Sequence, residues 1–478
     1  MDYAATTLTK ALIALLGRDA VLDAETDFRG FTEDWRGRYR GRALCVALPA
    51  STEQVAAIVR LCRERSVPIL PQGGNTSLCG GAVPDGRNPP VVVNLSRLRR
   101  IRRIDPANNS MVVEAGCVLA TVQQAAAEAG RLYPVSLGAE GSCQIGGTIS
   151  TNAGGTGVLR YGNTRDNILG LEVVLPNGDI WDGLTALRKN NTGFDMKHLF
   201  IGAEGTLGIV TAAVLKLHPL PLNQAIAWIA PADPAAAVEI LSRLQKASGA
   251  RLSAFEMLNA CQMDAVLTHV PNRRNPLPEL SPWHVLIELA DAAPDDRLAR
   301  ELQETLEAAA EDGLLSDAVL ASSEAQRAAL WEIRHSVSEA NKKAGMGLTT
   351  DCSVPVSVVP DFIERATQAV HSIVPDLPIA IVAHMGDGNV HFIPSFSFED
   401  WNALPDREAM AAAMRRGVND VAHGLDGTFS AEHGIGQTGI GEMARYKSPV
   451  ELAMMHTLKA AFDPADLFNP GRLLPPRP

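Results

Sequence analysis

The chain has 478 residues, enough to bury several hydrophobic cores, so two or three domains are expected. Its composition, 46% hydrophobic and 20% charged, is typical of a globular protein and excludes a disordered chain. The 54 acidic and 43 basic residues give a net charge of −11, which argues against a general binder of nucleic acid or anionic membranes.

The seven cysteines are scattered, and no two of them form a C-x-x-C pair. This pattern indicates the reduced thiols of a cytosolic protein rather than a disulfide framework or a thiolate zinc site. The first twenty residues lack the basic segment of a signal peptide and predict a short amphipathic helix. No apolar stretch approaches the ~20 residues that a membrane span needs.

Strands and helices alternate in the first part of the chain. The stretches "ALCVAL" and "VPIL" predict strands, and "STEQVAAIVRLC" between them predicts a helix capped by Ser51. A second unit follows, in which "SMVVEAG" is a strand and "VLATVQQAAAEAG" is a helix that ends at Gly130. Further on, "LGLEVVLPNGDIWDG" predicts a hairpin around Asn177-Gly178, and "GTLGIVTAAVLKLHP" predicts a pair of strands. The proline-rich "HPLPLNQ" then indicates a domain boundary.

Two glycine-rich stretches lie in this half. "PQGGNTSLCGGAVP" follows a strand, and its four glycines would let backbone amides approach a phosphate closely. It is neither a Walker A loop nor a G-x-G-x-x-G motif. "GSCQIGGTISTNAGG" is a second such loop, and two of them can hold an extended dinucleotide through backbone contacts. The alternatives are an ordinary tight loop and a long surface loop.

One true G-x-G-x-x-G motif occurs, "GIGQTG" at 434–439. The preceding "FSAEH" is a poor first strand for a dinucleotide fold, and no strand with an acidic end follows about 20 residues on. A nicotinamide site is therefore not predicted.

The second half of the chain changes character. Four helices are predicted, over "DPAAAVEILSRLQKASG", "DDRLARELQETLEAAAEDG", "EAQRAALWEIRHSVSEANKK" and "DFIERATQAVHSIV". The stretches "HVLIELA" and "IAIVAHM" predict strands. Helices that alternate with an antiparallel sheet indicate an α+β domain. Another helix and "DPADLFNPGRLL" end the chain.

Two histidines bracket the turn in "AHMGDGNVHF". A four-residue loop at 386–389 would pair Met385 with Val390 and place His384 opposite His391. Cross-strand partners have Cβ atoms roughly 5 Å apart, so the two imidazoles would suit a shared metal ion. The alternative is a hairpin whose histidines have no such role.

These stretches, with "LRKNNTGFDMKHLFIGAEGTLGIVT" and "SAEHGIG", closely resemble the FAD-linked D-2-hydroxy acid dehydrogenases, which are vanillyl-alcohol-oxidase-like flavoproteins. The resemblance runs in order from about Phe31 to Leu474. It implies an α+β fold with a two-subdomain FAD-binding domain of the vanillyl-alcohol-oxidase (PCMH) type at 1–220. An α+β substrate-cap domain at 221–425 and a C-terminal helical return to the FAD domain at 426–478 would follow.

The resemblance also implies where FAD binds. The backbone of the first loop would hold the pyrophosphate, at Gly73, Gly74, Asn75, Thr76 and Gly80. The rest of the cofactor would be lined by Gly138, Ser142, Gly146, Gly147, Asn152, Gly155 and Ile209. Some relatives bond FAD covalently through a histidine of the first loop. Asn75 stands at that position here, so non-covalent FAD is implied.

A metal centre is implied as well. The family places a divalent metal, typically zinc, on the two histidines of H-x-G-D-G-N-x-H and on the glutamate of S-A-E-H-G, which are His384, His391 and Glu432 here. Three nitrogen and oxygen ligands with an open position describe a catalytic site rather than a structural one.

Three further residues match the family's catalytic positions. Arg334 would bind the substrate carboxylate with its planar guanidinium, and His433 would be the general base. Asn389 would lie near the flavin and the substrate. Without the resemblance, Arg334 reads as a surface arginine of a helix and His433 as a histidine with no role in the reaction.

The chain departs from D-2-hydroxyglutarate dehydrogenases at two substrate positions. Thr349, in "TTDCSVP", replaces a lysine that helps to bind the distal carboxylate, and Ser338 replaces a threonine. These two substitutions leave D-2-hydroxyglutarate and D-lactate as competing substrates. Lys342 or Lys343 would be a substitute cation, or else a solvated lysine on a helix.

The sequence therefore predicts an FAD- and metal-dependent enzyme that oxidises a D-2-hydroxy acid to the 2-oxo acid. The alternatives are a glycolate-oxidase-like flavin subunit that needs partner chains, and a flavin-binding regulatory or structural subunit without turnover. The electron acceptor stays open among quinone, electron-transfer flavoprotein, a cytochrome and oxygen. The oligomeric state is open too, with a homodimer as one candidate.

Overall fold

The computed structural model describes residues 3–24, 27–293 and 297–477, without the side chains of residues 3–6. The first two residues of the predicted N-terminal helix and the start of the helix in "DDRLARELQ" lie outside this part. The chain forms two compact units. Unit 1 comprises Met1–Gly154, Asn163–Leu220 and Glu432–Pro478, and unit 2 comprises Gly155–Gly162 and Pro221–Ala431.

The strands, in chain order, are β1 (Val21–Leu22), β2 (Cys45–Ala47), β3 (Ile69–Gln72), β4 (Val91–Asn94), β5 (Ile101–Asp105), β6 (Ser110–Glu114), β7 (Arg131–Leu132), β8 (Ile168–Val174), β9 (Ile180–Gly183), β10 (Ile209–Lys216), β11 (His218–Pro219), β12 (Asn223–Pro231), β13 (Leu252–Asn259), β14 (Trp283–Asp291), β15 (Leu315–Leu320), β16 (Met346–Gly347), β17 (Cys352–Ser353), β18 (Ile379–His384) and β19 (Asn389–Phe396).

The α-helices are α1 (Tyr3–Leu16), α2 (Arg29–Thr32), α3 (Thr52–Glu64), α4 (Leu119–Glu128), α5 (Ile145–Ser150), α6 (Val158–Tyr161), α7 (Lys197–Phe200), α8 (Pro234–Ser248), α9 (Ala260–His269), α10 (Arg297–Glu311), α11 (Glu324–His335), α12 (Val337–Ala344), α13 (Val359–His371), α14 (Phe398–Ala403), α15 (Arg407–Gly424), α16 (Ile440–Tyr446) and α17 (Pro449–Phe462).

Unit 1 contains two main sheets. The first has the order β1-β2-β4-β3, in which β4 runs parallel to both β2 and β3. The second is antiparallel, with the order β5-β6-β10-β8-β9. The predicted helix α3 begins as expected, because Ser51 Oγ accepts a hydrogen bond from the amide of Gln54. Its apolar stripe is buried against the first sheet, which confirms the strand–helix–strand prediction.

The predicted hairpin at Asn177-Gly178 is confirmed, since β8 pairs antiparallel with β9. The strand pair predicted in "GTLGIVTAAVLKLHP" is wrong. This stretch forms the single strand β10 at the centre of its sheet, followed by the two-residue β11. Seven consecutive residues of β10, from Ile209 to Leu215, are buried, so no turn can interrupt the run.

The second glycine-rich stretch is not a loop throughout, because Ile145–Ser150 form the short helix α5. Ile145 and Ile149 are fully buried and anchor this helix. The amide of Gly146 donates to the carbonyl of Ala115 at 2.7 Å, and a Cβ on Gly146 would lie 2.8 Å from Ala115 Cβ. Glycine at this position therefore lets α5 lie directly against the end of β6.

Unit 2 is an α+β unit around one eight-stranded sheet. The order is β15-β12-β14-β13-β18-β19-β16, with β17 paired to β19. One hydrophobic cluster packs the sheet against α8, α10, α13 and α15, and another packs it against α9, α11 and α12. The antiparallel sheet and its helices confirm the α+β prediction for this half.

The long helix predicted over "EAQRAALWEIRHSVSEANKK" is two helices, α11 and α12, which meet at Ser336. The Ser336 hydroxyl donates to the Glu332 carbonyl at 2.6 Å and accepts from Arg273 Nε at 2.9 Å. This bonding of a serine to the backbone competes with a continuous helix. The sequence does not predict strands β12, β13 and β15. The first two are nearly continuous apolar runs without alternation, and β15 is only six residues long and contains Ser316 and Asp317.

All seven cysteines lie in the described part of the chain, and none of them forms a disulfide there. None of the described helices combines the length and the apolar character that a membrane span requires.

Candidate functional site

The two glycine-rich stretches of unit 1 approach each other at the backbone. A Cβ on Gly74 would lie 2.1 Å from the carbonyl oxygen of Ser142. Only glycine permits this approach, because the atom that it would meet is backbone and cannot rotate away. The two stretches are therefore in close backbone contact in unit 1.

Gly73, Gly74, Gln144 and Gly147 form what we term the cofactor cradle. A Cβ on Gly73 would lie 3.6 Å from Gln144 Oε1 and 3.6 Å from the amide of Gly147. A Cβ on Gly147 would meet no described atom within 4 Å. Gln144 Oε1 is buried and has no hydrogen-bond partner among the described residues. An orphaned buried acceptor beside open glycine backbone fits an extended, polar cofactor.

Other residues predicted to bind the cofactor have structural contacts in unit 1. Asn75 has a positive φ of 54° and donates from Nδ2 to the carbonyls of Glu33 at 2.9 Å and Gly30 at 3.3 Å. A Cβ on Gly80 would lie 2.7 Å from Gln437 Nε2. The Asn75 amide therefore anchors the first loop to the chain near residue 30.

The remaining predicted cofactor residues are spread over both units. Asn152 Oδ1 accepts from the amide of Arg165 at 2.9 Å. Ile209 is the buried first residue of β10, and Thr76 is half-buried in the first loop. A Cβ on Gly138 would meet nothing within 4 Å, and Ser142 is exposed beside it. Gly155 belongs to unit 2.

The histidine hairpin of unit 2 has a different register from the predicted one. The loop is 385–388, and His384 pairs with Asn389 while His391 pairs with Val382. The prediction that His384 lies opposite His391 is therefore wrong by two residues. The two imidazoles still lie on one face, because diagonal positions two residues apart share a face. Their ring centroids are 5.5 Å apart, with an angle of 80° between the planes.

Glu256, Arg334 and His384 form a buried group that we term the Glu256 cluster. Glu256 is the cross-strand partner of His384 and accepts from its Nδ1 at 2.8 Å. Its second oxygen accepts from Arg334 Nε at 2.7 Å. Arg334 Nη2 lies 3.4 Å from His384 Nε2. One carboxylate therefore orients both the guanidinium and the imidazole predicted for the site.

Burial by itself would raise the pKa of Glu256, but the charges of His384 and Arg334 and their hydrogen bonds hold it at about 2. The Glu256 side chain is 2% exposed and that of Arg334 is 11% exposed. A buried carboxylate in this setting stays ionised. When the imidazole is neutral, Glu256 favours the tautomer that carries hydrogen on Nδ1, and Nε2 is then a lone-pair donor.

Asn389 and His391 meet a second acidic residue. Asn389 Nδ2 donates to Asp351 Oδ1 at 3.1 Å and to the carbonyl of Cys352 at 3.0 Å. Asp351 Oδ1 lies 3.6 Å from His391 Nδ1. The amide of Ala431 donates to Asp351 Oδ2 at 3.1 Å. Asp351 thus joins the hairpin to the last residue of unit 2.

Glu432 and His433 begin the last segment of unit 1, directly after Ala431. Their side chains lie side by side, with His433 Nε2 3.9 Å from Glu432 Oε1.

A model described as "FAD linked oxidases, C-terminal domain" matches residues 220–473, and one described as "FAD binding domain" matches residues 43–183. Among curated proteins, the mitochondrial D-2-hydroxyglutarate dehydrogenase of Arabidopsis thaliana is 36% identical over 462 residues, covering 96% of this chain and 80% of the relative. The D-2-hydroxyglutarate dehydrogenase of Xanthomonas citri pv. viticola is 36% identical over 449 residues, covering 94% of this chain and 92% of the relative.

The chain belongs to the FAD-linked D-2-hydroxy acid dehydrogenase family. It is accordingly an FAD-linked oxidoreductase. The crystal structure of p-cresol methylhydroxylase with substrate bound has a TM-score of 0.77 at 17% identity, covering 99% of this chain and 97% of the other. This likeness shows the PCMH-type flavoprotein fold and confirms the predicted fold class.

The two residues predicted to contact the distal end of the substrate lie in unit 2. Ser338 is exposed on α12, and Thr349 is half-buried between β16 and β17. Lys343 Nζ donates to Glu339 Oε1 at 2.6 Å and to the carbonyl of His269 at 3.2 Å. Lys343 is thus held on the surface of its own helix. This position favours the solvated-lysine interpretation over a substitute cation.

Sequence reasoning missed Gln144, Glu256, Glu288 and Asp351. Leu286 pairs with Glu256, and Glu288 is two residues further along β14. Glu288 therefore lies on the same face of the sheet as Glu256. It accepts from Ser253 Oγ at 2.6 Å and from Trp331 Nε1 at 2.8 Å. For Glu256 and Glu288 the available signal was a single acidic residue within each apolar run, "SAFEMLN" and "HVLIELA".

Proposed function

We propose that this chain oxidises D-2-hydroxy acids to 2-oxo acids, with D-2-hydroxyglutarate and D-lactate as its substrates. The Glu256 cluster carries this proposal. It holds a guanidinium beside an imidazole at hydrogen-bond distances from one buried carboxylate. A guanidinium suits the carboxylate that every 2-hydroxy acid carries, and a neutral imidazole suits a metal ion.

FAD is proposed to bind without a covalent bond. Asn75 offers an amide rather than a nucleophilic imidazole, and this amide is engaged with the backbone of Gly30 and Glu33. The cofactor cradle supports a site for the flavin nucleotide at the predicted loop residues. Bound FAD supplies the hydride acceptor for the oxidation.

A divalent metal, zinc by the family pattern, is proposed to bind His384, His391 and Glu432. The contact of His384 with Glu256 supports this proposal, because carboxylates orient metal-binding histidines in this way. A bound metal supplies a Lewis acid for the substrate hydroxyl. Three other side chains would act on the substrate directly. Arg334 would bind its carboxylate, His433 would take the hydroxyl proton, and Asn389 would line the reacting centre.

Ser338 and Thr349 are proposed to face the distal end of the substrate. We further propose the domain bounds 1–220 for FAD binding, 221–425 for the substrate and 426–478 for the C-terminal return. An external electron acceptor, a cytosolic location and a homodimer complete the proposal.

The test is anaerobic flavin bleaching with a panel of D- and L-2-hydroxy acids. We expect the D-acids to bleach the flavin and the L-acids to leave it oxidised. His384→Ala, His391→Ala and Glu432→Ala should lose metal and turnover while they keep FAD. A flavin that no 2-hydroxy acid bleaches would instead favour a subunit without turnover. Unchanged metal content in all three variants would remove the metal site from the proposal.

A further inference from the structure

The sequence predicts no nicotinamide role for the motif "GIGQTG", and unit 1 places a buried carboxylate against it. Glu204 Oε1 accepts from the amide of Ile435 at 2.7 Å, and Oε2 accepts from the amide of Gly436 at 2.8 Å. The Glu204 side chain is buried. Both oxygens of one carboxylate therefore bind successive backbone amides of this segment.

The glycines of the segment make this contact sterically feasible. Gly434 has a φ of +81°, and a Cβ there would lie 2.9 Å from Glu204 Oε1. Gly436 has a φ of +53°, and a Cβ there would lie 2.2 Å from the carbonyl of Cys79. The segment thus passes between Glu204 and the first glycine-rich loop, with room for hydrogen atoms only.

The carboxylate is costly to bury, and its two hydrogen bonds offset part of that cost. Burial raises the pKa of Glu204, while the amides of Ile435 and Gly436 and the charge of Arg472 act in the opposite direction. Hydrogen bonds from backbone amides to a charged acceptor are stronger than those between neutral groups. Because the carboxylate of Glu204 bonds to two backbone amides of the 434–436 segment, it holds this segment in one conformation.

The residues just before this contact are those proposed to act in the reaction. Ile435 is two positions after His433 and three after Glu432. Fixing the amides of Ile435 and Gly436 restricts the backbone from which both side chains project. A displacement of about 1 Å is enough to impair metal binding or proton transfer.

We propose that Glu204 is a positioning residue, whose carboxylate fixes the 434–436 backbone and thereby sets the places of Glu432 and His433. This inference rests on the proposed roles of Glu432 and His433. It also assigns the "GIGQTG" glycines a role, which is close approach to Glu204 and Cys79 rather than nucleotide binding.

The first variant is Glu204→Gln in the full-length protein with its FAD. A glutamine amide has one acceptor oxygen, so its NH₂ group would face one of the two loop amides, donor against donor. We expect hydrogen exchange in a peptide covering 433–439 to become about 10-fold faster. Metal affinity and kcat should each fall by about 10-fold or more, the range found when partners of metal-binding groups are changed. FAD content should stay at the wild-type level.

Glu172→Gln is the matched control, since Glu172 is also a buried carboxylate of unit 1. It is held by Thr52, Thr211 and Arg102 and has no contact with the 434–439 segment among the described residues. This control should keep its metal, its kcat and its exchange rate over 433–439. A loss of thermal stability that Glu204→Gln and Glu172→Gln share is then a general effect of removing a buried carboxylate. The effect on the 433–439 segment is expected in Glu204→Gln alone.

Gly434→Ala tests the same contact from the other side, because its Cβ would push against Glu204 Oε1. We expect it to reproduce the metal and exchange effects, and the double variant with Glu204→Gln should be less than additive. A Glu204→Gln protein with unchanged exchange, or with faster exchange but wild-type metal content and kcat, would overturn the inference. Loss of FAD together with metal would indicate general damage to unit 1 and would overturn it too.

The wild-type protein distinguishes this inference from the proposed function. If the wild type binds no divalent metal and oxidises no 2-hydroxy acid, the proposed function fails, and no positioning role remains for Glu204. Exchange over 433–439 still reports whether Glu204 fixes the segment. If the wild type is active, the Glu204 variants alone decide the inference.

Discussion

The cofactor cradle of unit 1 and the Glu256 cluster of unit 2 are built from different parts of the polypeptide. The cradle consists of glycine backbone and one amide side chain. Its two segments lie so close together that a Cβ on Gly74 would be 2.1 Å from the Ser142 carbonyl oxygen. The cluster consists of charged side chains from a helix and two strands, joined at 2.7 and 2.8 Å. The cradle therefore depends on the absence of side-chain volume, and the cluster depends on charge and hydrogen-bond direction.

The difference predicts distinct responses to substitution. Adding one methyl group where the two segments of the cradle touch should weaken cofactor binding, whereas the cluster should tolerate a change of volume better than a change of donor geometry. Variants in each region should leave the chemistry of the other intact.

Gly74→Ala should have the largest effect. Its Cβ would overlap the Ser142 carbonyl, and this overlap requires a backbone shift, which costs about 1–3 kcal/mol or more. We expect FAD binding to weaken by about 100-fold, as an energy of that size implies. Flavin absorbance after gel filtration measures it. Gly441→Ala is the control, because a Cβ there meets nothing within 4 Å. Wild-type flavin content in Gly74→Ala would mean that the two loops do not cooperate in binding FAD.

Arg334→Lys tests the charge and geometry of the cluster. A lysine keeps the charge but loses the planar fork, so it cannot bind both Glu256 and a carboxylate in the same way. We expect kcat/KM to fall by about 30-fold, corresponding to roughly 2 kcal/mol, with FAD fully retained. Steady-state kinetics with an artificial acceptor measures this. Arg365→Lys, at an exposed ion pair on α13, is the control. Equal activity of the two variants would count against the proposed role of Arg334.

The two regions also differ in how far the sequence predicts them. The cradle can be predicted from the sequence because its glycines occur in pairs within two short stretches. The resemblance to the family then indicates that these stretches bind FAD. Glu256 is 78 residues from Arg334 and 128 from His384 along the chain, so only the fold brings these residues together. The predicted hairpin with a loop at 386–389 places His384 opposite His391 on one face, but the loop at 385–388 sets a different register, which no local pattern predicts.

Thr349→Lys sharpens the comparison at the substrate end of unit 2. A charge-assisted hydrogen bond is worth roughly 1.5–3 kcal/mol, against about 1 kcal/mol for a neutral one. The ratio of kcat/KM for D-2-hydroxyglutarate over D-lactate should therefore rise by about 10-fold. Thr349→Met is the control, because methionine is similar in length to lysine but carries no charge. It should leave the ratio unchanged. A wild type that already prefers D-2-hydroxyglutarate by more than about 1,000-fold would show that another cation binds the distal carboxylate.

The smallest effects concern one glutamate from each unit, Glu172 in unit 1 and Glu288 in unit 2. Burial raises the pKa of Glu172, but hydrogen bonds from Arg102, Thr52 and Thr211 outweigh this and lower it below its ordinary value. Burial also raises the pKa of Glu288, and there the bonds from Ser253 and Trp331 do not outweigh it. The Glu172 carboxylate therefore stabilises the fold above its unfolded pKa, and this stability is lost as the pH falls through the folded value. Glu288 has the opposite sign, since its contribution is present below the unfolded pKa and is lost as the pH rises through the folded one.

Glu172→Gln and Glu288→Gln should therefore change the pH dependence of thermal stability in opposite directions. Relative to wild type, Glu172→Gln should lose less stability as the pH falls below the ordinary glutamate pKa, and Glu288→Gln should lose less as the pH rises above that pKa. For a chain of this size the differences should be on the order of 1 °C in Tm. Thermal scans at matched ionic strength across this range measure them. Parallel curves for both variants would mean that neither carboxyl has a different proton affinity in the folded and unfolded states.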